Sequence, residues 1–254
     1  QLSEASGLYV NLIAQMQHAG HVANATYVRL QNDLGVLFLM DEDYSSAREH
    51  VSAAMDTIDQ YGIEISGDEH ANILSNMAQA LHGLGELDAA DAMYARASGL
   101  LKARYPEGSR DTAILINNRA SLAWDRKRPE QALELLAKSV EMRKLVYASD
   151  HPVVVFGLVN LAQMALASDQ PDRARRAIDE AIAMLDRLPE GGIEERIIAE
   201  GARVQVLVAQ GQVVEASQAL QALEARLVDH AELTTRAQNA VDLARMAVAA
   251  KQNP

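Results

Sequence analysis

Five alanines, Ala47, Ala90, Ala132, Ala174 and Ala216, recur along the chain at intervals of 43, 42, 42 and 42 residues. A fixed period of this length constrains the fold severely. One supersecondary unit is copied, no copy can bury its apolar face alone, and neighbours must stack into a continuous core. A short break in the apolar pattern precedes each alanine, at 42–46, 85–89, 127–131, 169–173 and 211–215. Gly85 and Gly211 suit the left-handed end of one helix, where a missing Cβ removes the steric penalty. Pro129 and Pro171 suit the first turn of the next, where an N–H would lack a partner anyway. Each copy therefore reads as helix, tight turn, helix.

Other positions keep the same register. Twelve residues before each alanine stand Gly35, Ala78, Ala120, Ala162 and Val204, mostly small. Four after it stand the bulky Val51, Tyr94, Leu136, Ile178 and Leu220, and seven after it Ala54, Ala97, Ser139, Ala181 and Leu223. Small residues let helices approach, and large ones fill the seam between copies. This order of small and large residues resembles the tetratricopeptide repeat (TPR) signature over nearly the whole chain. The resemblance implies an all-α, right-handed solenoid of stacked antiparallel helix hairpins. The usual TPR period is about 34 residues, and the longer one here is similar to the kinesin-light-chain-like branch. His151-Pro152, Asn117-Asn118-Arg119-Ala120 and Asn160-Leu161-Ala162 approximate that branch as well. Arg119 and Arg203 depart from the pattern, standing where other copies carry Leu34, Met77 and Leu161, and the fifth copy is the least regular.

The pattern predicts twelve helices, near 3–18, 22–40, 43–60, 69–84, 86–104, 110–126, 129–147, 152–168, 171–188, 193–210, 212–227 and 231–251. No strict polar–apolar alternation competes with this period. Aromatic residues make up only 4% of the chain, which fits tight alanine and leucine packing between helices. No apolar run reaches the length, about 18 residues, that crosses a membrane. The absence of cysteine excludes disulfides and thiolate chemistry. A net charge of −12 argues against nucleic acid or an anionic membrane surface as partner. Gln1 is not an initiator, and Ala5, Tyr9 and Leu12 fall where the register places a second helix. Residues 1–20 are thus expected to be the second helix of a truncated repeat from a longer protein. Residues 21–227 then hold five hairpins, and 228–254 a capping helix with a frayed tail, all in one continuous domain. The compartment is open, with the cytoplasm favoured.

In such an array the first helices line the concave side. Two residues before the small position stand Asp33, Asn76, Asn118 and Asn160. Asparagine is a mediocre helix former, and its carboxamide both donates and accepts. A row of carboxamides, one per hairpin, suits the N–H and C=O groups of an extended peptide, and TPR proteins that bind peptides look like this. The same asparagines could instead bond to neighbouring helices and brace the stack, and both readings stay open. The side chains nearby that could read a peptide are Asn72, Asn117, Gln79, Ser121, Gln163, His82, Trp124 and Phe156. Core packing between copies is the favoured role for Phe156, and for Trp124 anchor and core stand level. A chaperone-type clamp for a C-terminal carboxylate would need lysines, and none occurs among Ser75, Gln79, Asn117, Ser121 and Gln163.

The remaining candidates for chemistry are weak. His18 and His21 have metal-like spacing but flank Gly20 at a helix end with no further ligand nearby, so no metal site is expected. Neither a phosphate loop nor a hydrolase motif occurs, and no cofactor or catalysis is expected. The sequence thus points to a protein–protein interaction domain that takes a protein or peptide segment in its groove, as the docking or sensor part of a larger regulatory protein. The rivals are a self-associating scaffold, with a homo-oligomer as its product, and an accessory domain packed against a missing catalytic portion.

Overall fold

The computed structural model describes residues 2–147, 151–188, 192–227 and 234–252. Twelve helices and no strand occupy these residues. They are α1 (Leu2–His18), α2 (Ala25–Met40), α3 (Tyr44–Tyr61), α4 (Gly67–Gly83), α5 (Leu87–Arg104) and α6 (Arg110–Asp125). The second half holds α7 (Pro129–Val146), α8 (Pro152–Ala167), α9 (Pro171–Leu185), α10 (Ile193–Ala209), α11 (Val213–Leu227) and α12 (Thr235–Gln252). The chain is an all-α helical-repeat protein, with each expected helix found within a few residues of its place. The expected start of the last helix, at 231, lies outside the described residues, as do Gln1 and residues 253–254 of the tail.

The repeat is a turn as well as a packing pattern. Glu42, Gly85, Lys127, Asp169 and Gly211, each five residues before a ruler alanine, all adopt a left-handed backbone, with φ between 56° and 79°. At each one the following N–H donates to a carbonyl five residues back, as from Asp43 to Phe38 (2.9 Å) and from Gln212 to Leu207 (2.9 Å). Such bonds satisfy carbonyls that the helix end leaves orphaned. Caps at the other end keep the same register. Asn24, Ser66 and Ser109 accept from the backbone N–H three residues on, and His151 from the N–H of Val153. Gly192 breaks this series and has no capping side chain. The fifth copy is therefore irregular at its entry.

The chain divides into two compact units, Gln1–Arg128 and Pro129–Pro254. In the first, α4 lies between α3 and α5, and α4 also approaches both α2 and α6. Helices α3 and α5 do not come close among the described residues. The first helices of the hairpins thus form the tighter side of this stack. Its core joins Val51, Ala54, Met77, Ala78, Ala90, Tyr94, Ala97 and Leu101. Gly35 marks a close crossing of α2 and α3: a Cβ there would lie 2.5 Å from Val51 Cγ2 and 3.3 Å from the Ala47 carbonyl. In the second unit α8 and α10 approach, α10 and α12 approach, and α9 and α11 do not. Val204, Leu207, Ala216, Ala244 and Val248 form a core between α10, α11 and α12. All five ruler alanines are fully buried.

Candidate functional site

The tight side of the first unit carries three adjoining cavities. The one nearest the N-terminal ends of α2 and α4, of about 260 Å³, is lined by Arg29, Asn32, Asp33, Glu69 and Asn72 among others. The next, about 310 Å³, takes in Asn32, Asn72, Asn76, Gln79, Asp111 and Ile114. The third, about 410 Å³, lies toward the C-terminal ends and is lined by Tyr44, Gln79, His82, Tyr94, Asn118, Ser121 and Asp125, with others. Asn32 and Asn72 border the first two, and Gln79 the last two. The three therefore join into one trough along the helices. From Glu69 to Gly83 on α4, it runs about 21 Å at the helical rise. That is room for roughly six extended residues.

Helical periodicity explains why these side chains converge. Asn72, Asn76, Gln79 and Gly83 are three or four apart on α4, so they share one face. On α6 the positions are Asp111, Ile114, Asn118, Ser121 and Asp125, at the same spacing. Buried residues such as Leu74, Met77, Ala78 and Leu81 hold α4 from its other sides. Gly83 has a particular role, since a Cβ there would run into the ring of Tyr44, which lies against it in the cavity wall.

Individual carboxamides of the sequence pattern meet different partners. Asn76 Nδ2 donates to Asn32 Oδ1 at 2.9 Å, linking α4 to α2. Asn118 lies in the wall of the largest cavity, beside Ser121. His82 Nε2 stands 2.7 Å from Asp125 Oδ2, joining α4 to α6 at the mouth of that cavity. Asn117 and Trp124 are half-buried and line none of the three cavities, and the Asn117 Oδ1 is buried without a hydrogen bond among the described residues. In the second unit Asn160 Oδ1 accepts from Arg236 Nη2 at 3.4 Å, and the Arg236 guanidinium lies 4.3 Å from the centre of the Phe156 ring. Gln163 is exposed.

Charge in the trough is mostly negative. Its one guanidinium, Arg29, is tied to Glu69 at 2.5 Å, which holds that carboxyl below its ordinary range. Desolvation raises the pKa of Asp33 at the rim, against the opposing Asn32 hydrogen bond and Arg29 charge. Asp111 is raised by desolvation and then by the negative charge of Asp68. Arg119 and Arg126, on or just beyond α6, reach Asp91 and Asp88 of α5 rather than the trough. The trough residues that the repeat pattern leaves unmarked are Asn32, Tyr44, Asp111 and Asp125. Asn32 stands one residue off the register of Asp33, and its link to Asn76 was visible only as a spacing of 44. Arg236 lies beyond the last ruler alanine, where no repeat phase points to it.

Comparison with known proteins places the architecture in a class. Residues 111–187 match the tetratricopeptide repeat family model. Nearly identical TPR-like repeats, assigned to a kinesin light chain of Podosopora anserina, superpose with a TM-score of 0.66 at 17% identity, over 80% of this chain and 95% of that one. BtubC (BKLC) of P. vanneervenii superposes at 0.64 and 19% identity, over 100% and 93%. The Rap conjugation gene regulator of plasmid pLS20, solved with the Phr* peptide, gives 0.62 and 14%, over 99% of this chain and 70% of the regulator. No curated protein sequence matches. The fold is that of TPR-like helical-repeat proteins, kinesin-light-chain-like repeats among them. A fold of this kind supports a role in protein–protein interaction.

Proposed function

We propose that this chain is a non-catalytic interaction module that binds an extended segment of a partner protein along the trough of its first unit. The observation that carries the reading is the lining itself: Asn32, Asn72, Asn76, Gln79, Asn118 and Ser121 face cavities that run together. An extended peptide exposes an N–H and a C=O at every residue, and a carboxamide answers either one. Buried polar groups gain most from such pairing once water is displaced. The length of the trough suits a short segment. The pLS20 regulator, of similar fold, is a protein solved with a peptide. Asn76 serves both readings of the sequence, since its amide braces Asn32 while bordering the open cavity.

The test is a decapeptide array probed with the full chain, followed by titration of the best binder against Asn118→Ala. Loss of about tenfold in affinity, or ~1.4 kcal/mol, supports the reading. Unchanged affinity for every peptide that binds would contradict it. Self-association is the second reading, and a dilution series in light scattering separates it from the first.

A further inference from the structure

The largest cavity has a composition that the amide trough does not require. Tyr94, fully buried in its wall, has a hydroxyl with no hydrogen-bond partner among the described residues. A buried polar group left unpaired is costly, and such groups in native proteins call for an explanation. At the mouth stands Asp125, half-exposed, with Oδ2 engaged by His82 and Oδ1 without a hydrogen bond among the described residues. Asn118, Gln79 and Ser121 add carboxamide and hydroxyl oxygens. The apolar part of the lining is Leu39, with the ring of Tyr44 beside Gly83. No lysine or arginine lines this cavity, and its one ring nitrogen contact is already with Asp125. The arrangement is a set of oxygen acceptors at the end of a partly apolar slot.

Building on the trough reading, we propose that this cavity receives a lysine or arginine side chain of the bound segment. Its methylene stem lies along Leu39 and Tyr44, as long cationic side chains do on apolar surface. The cation then sits by the Asp125 carboxylate, in the cavity whose wall holds Tyr94. An aromatic wall adds attraction for a positive charge. A glutamate in the same place would face Asp125 with no counter-charge. The rest of the trough agrees, because Asp33 and Asp111 lack an ion-pair partner among the described residues and Arg29 is committed to Glu69. Desolvation of these two carboxyls makes a nearby positive charge more favourable still.

The experiment uses the full chain and decapeptide mixtures with one central position fixed as lysine, arginine, norleucine or glutamate. Fluorescence anisotropy reads the affinity of each mixture. Lysine and arginine mixtures are expected to bind at least tenfold more tightly than norleucine or glutamate. Asp125→Asn should remove most of that preference, and Tyr94→Phe should weaken the cationic mixtures a few-fold. Glu134→Gln, an equal change of charge on the exposed side of α7, should leave it intact. Binding without charge preference, or equal effects of Asp125→Asn and Glu134→Gln, overturns the cation pocket and leaves the amide trough standing. No binding by any mixture overturns both. Circular dichroism on each variant separates lost folding from lost recognition, and Tyr94→Phe, which keeps the ring, retains the test if Asp125→Asn unfolds.

Discussion

The same repeat position has three different fates in the two units. In the first, Asn76 bonds across to Asn32 while Asn118 faces a cavity. In the second, Asn160 is met by Arg236, which also covers Phe156 from the first turn of α12. Register along the chain fixes which face of a hairpin a side chain occupies. What the side chain then does depends on its neighbours, which the register does not repeat. One unit keeps its tight face open and polar. The other satisfies part of that face from within.

The same contrast appears in packing, and there the largest effects should lie. Gly35 and Val204 occupy one repeat slot, yet a Cβ at Gly35 would meet Val51 at 2.5 Å. Gly35→Val should lower stability by about 2–3 kcal/mol, an overpacking cost, read as a fall in the urea midpoint. Full tolerance at Gly35 would show that the two units pack this slot alike. Next in size is recognition. Asn118→Ala should cost about tenfold in peptide affinity, ~1.4 kcal/mol, while Asn160→Ala should leave it unchanged in the same anisotropy titration. Equal losses would erase the difference between the units.

The turns offer a further comparison. Lys127 ends the first unit in the left-handed backbone that Gly211 adopts in the second. A residue with a Cβ pays about 1 kcal/mol or more there. Lys127→Gly should therefore raise stability by about 1 kcal/mol, read as a higher denaturation midpoint, and Gly211→Ala should lower it by about as much. Arg236→Ala removes an exposed cation–ring contact and should cost about 0.5–1 kcal/mol in stability. The smallest effect is at Asp111. Its raised pKa means that ionisation opposes folding, so its penalty sets in as pH rises above the ordinary carboxyl range and levels off above the raised folded pKa. Asp111→Asn should stabilise the chain slightly at neutral pH and not in acid, where wild-type Asp111 is already protonated. Melting at both pH values checks the sign.

Much of this architecture was legible in the sequence because it repeats. The alanines, the small residues twelve before them and the bulky ones four after gave helix number, hairpin turns and core. Gly85 and Gly211 announced their turns by lacking a Cβ. Glu42, Lys127 and Asp169 adopt the same turn, and no residue preference reveals it, because the hydrogen bonds of the helix end hold them there. The site was less legible. Asn72, Asn76, Gln79, His82, Asn118 and Ser121 could be placed on one face from helical spacing alone. Asp111 and Asp125 carry no repeat signal and enter the trough only through the geometry of α6. Trp124 and Asn117 share the helix but turn off the cavities, a matter of a few tens of degrees that spacing does not resolve.

Amide hydrogen exchange on the full chain, with and without a saturating array-selected decapeptide, tests the central claim most directly. Peptide in the trough should slow exchange in 67–83 and 110–125, the helices that wall it, and leave 152–167 as it was. Protection confined to α8, or spread evenly over both units, would contradict the assignment of the binding face to the first unit.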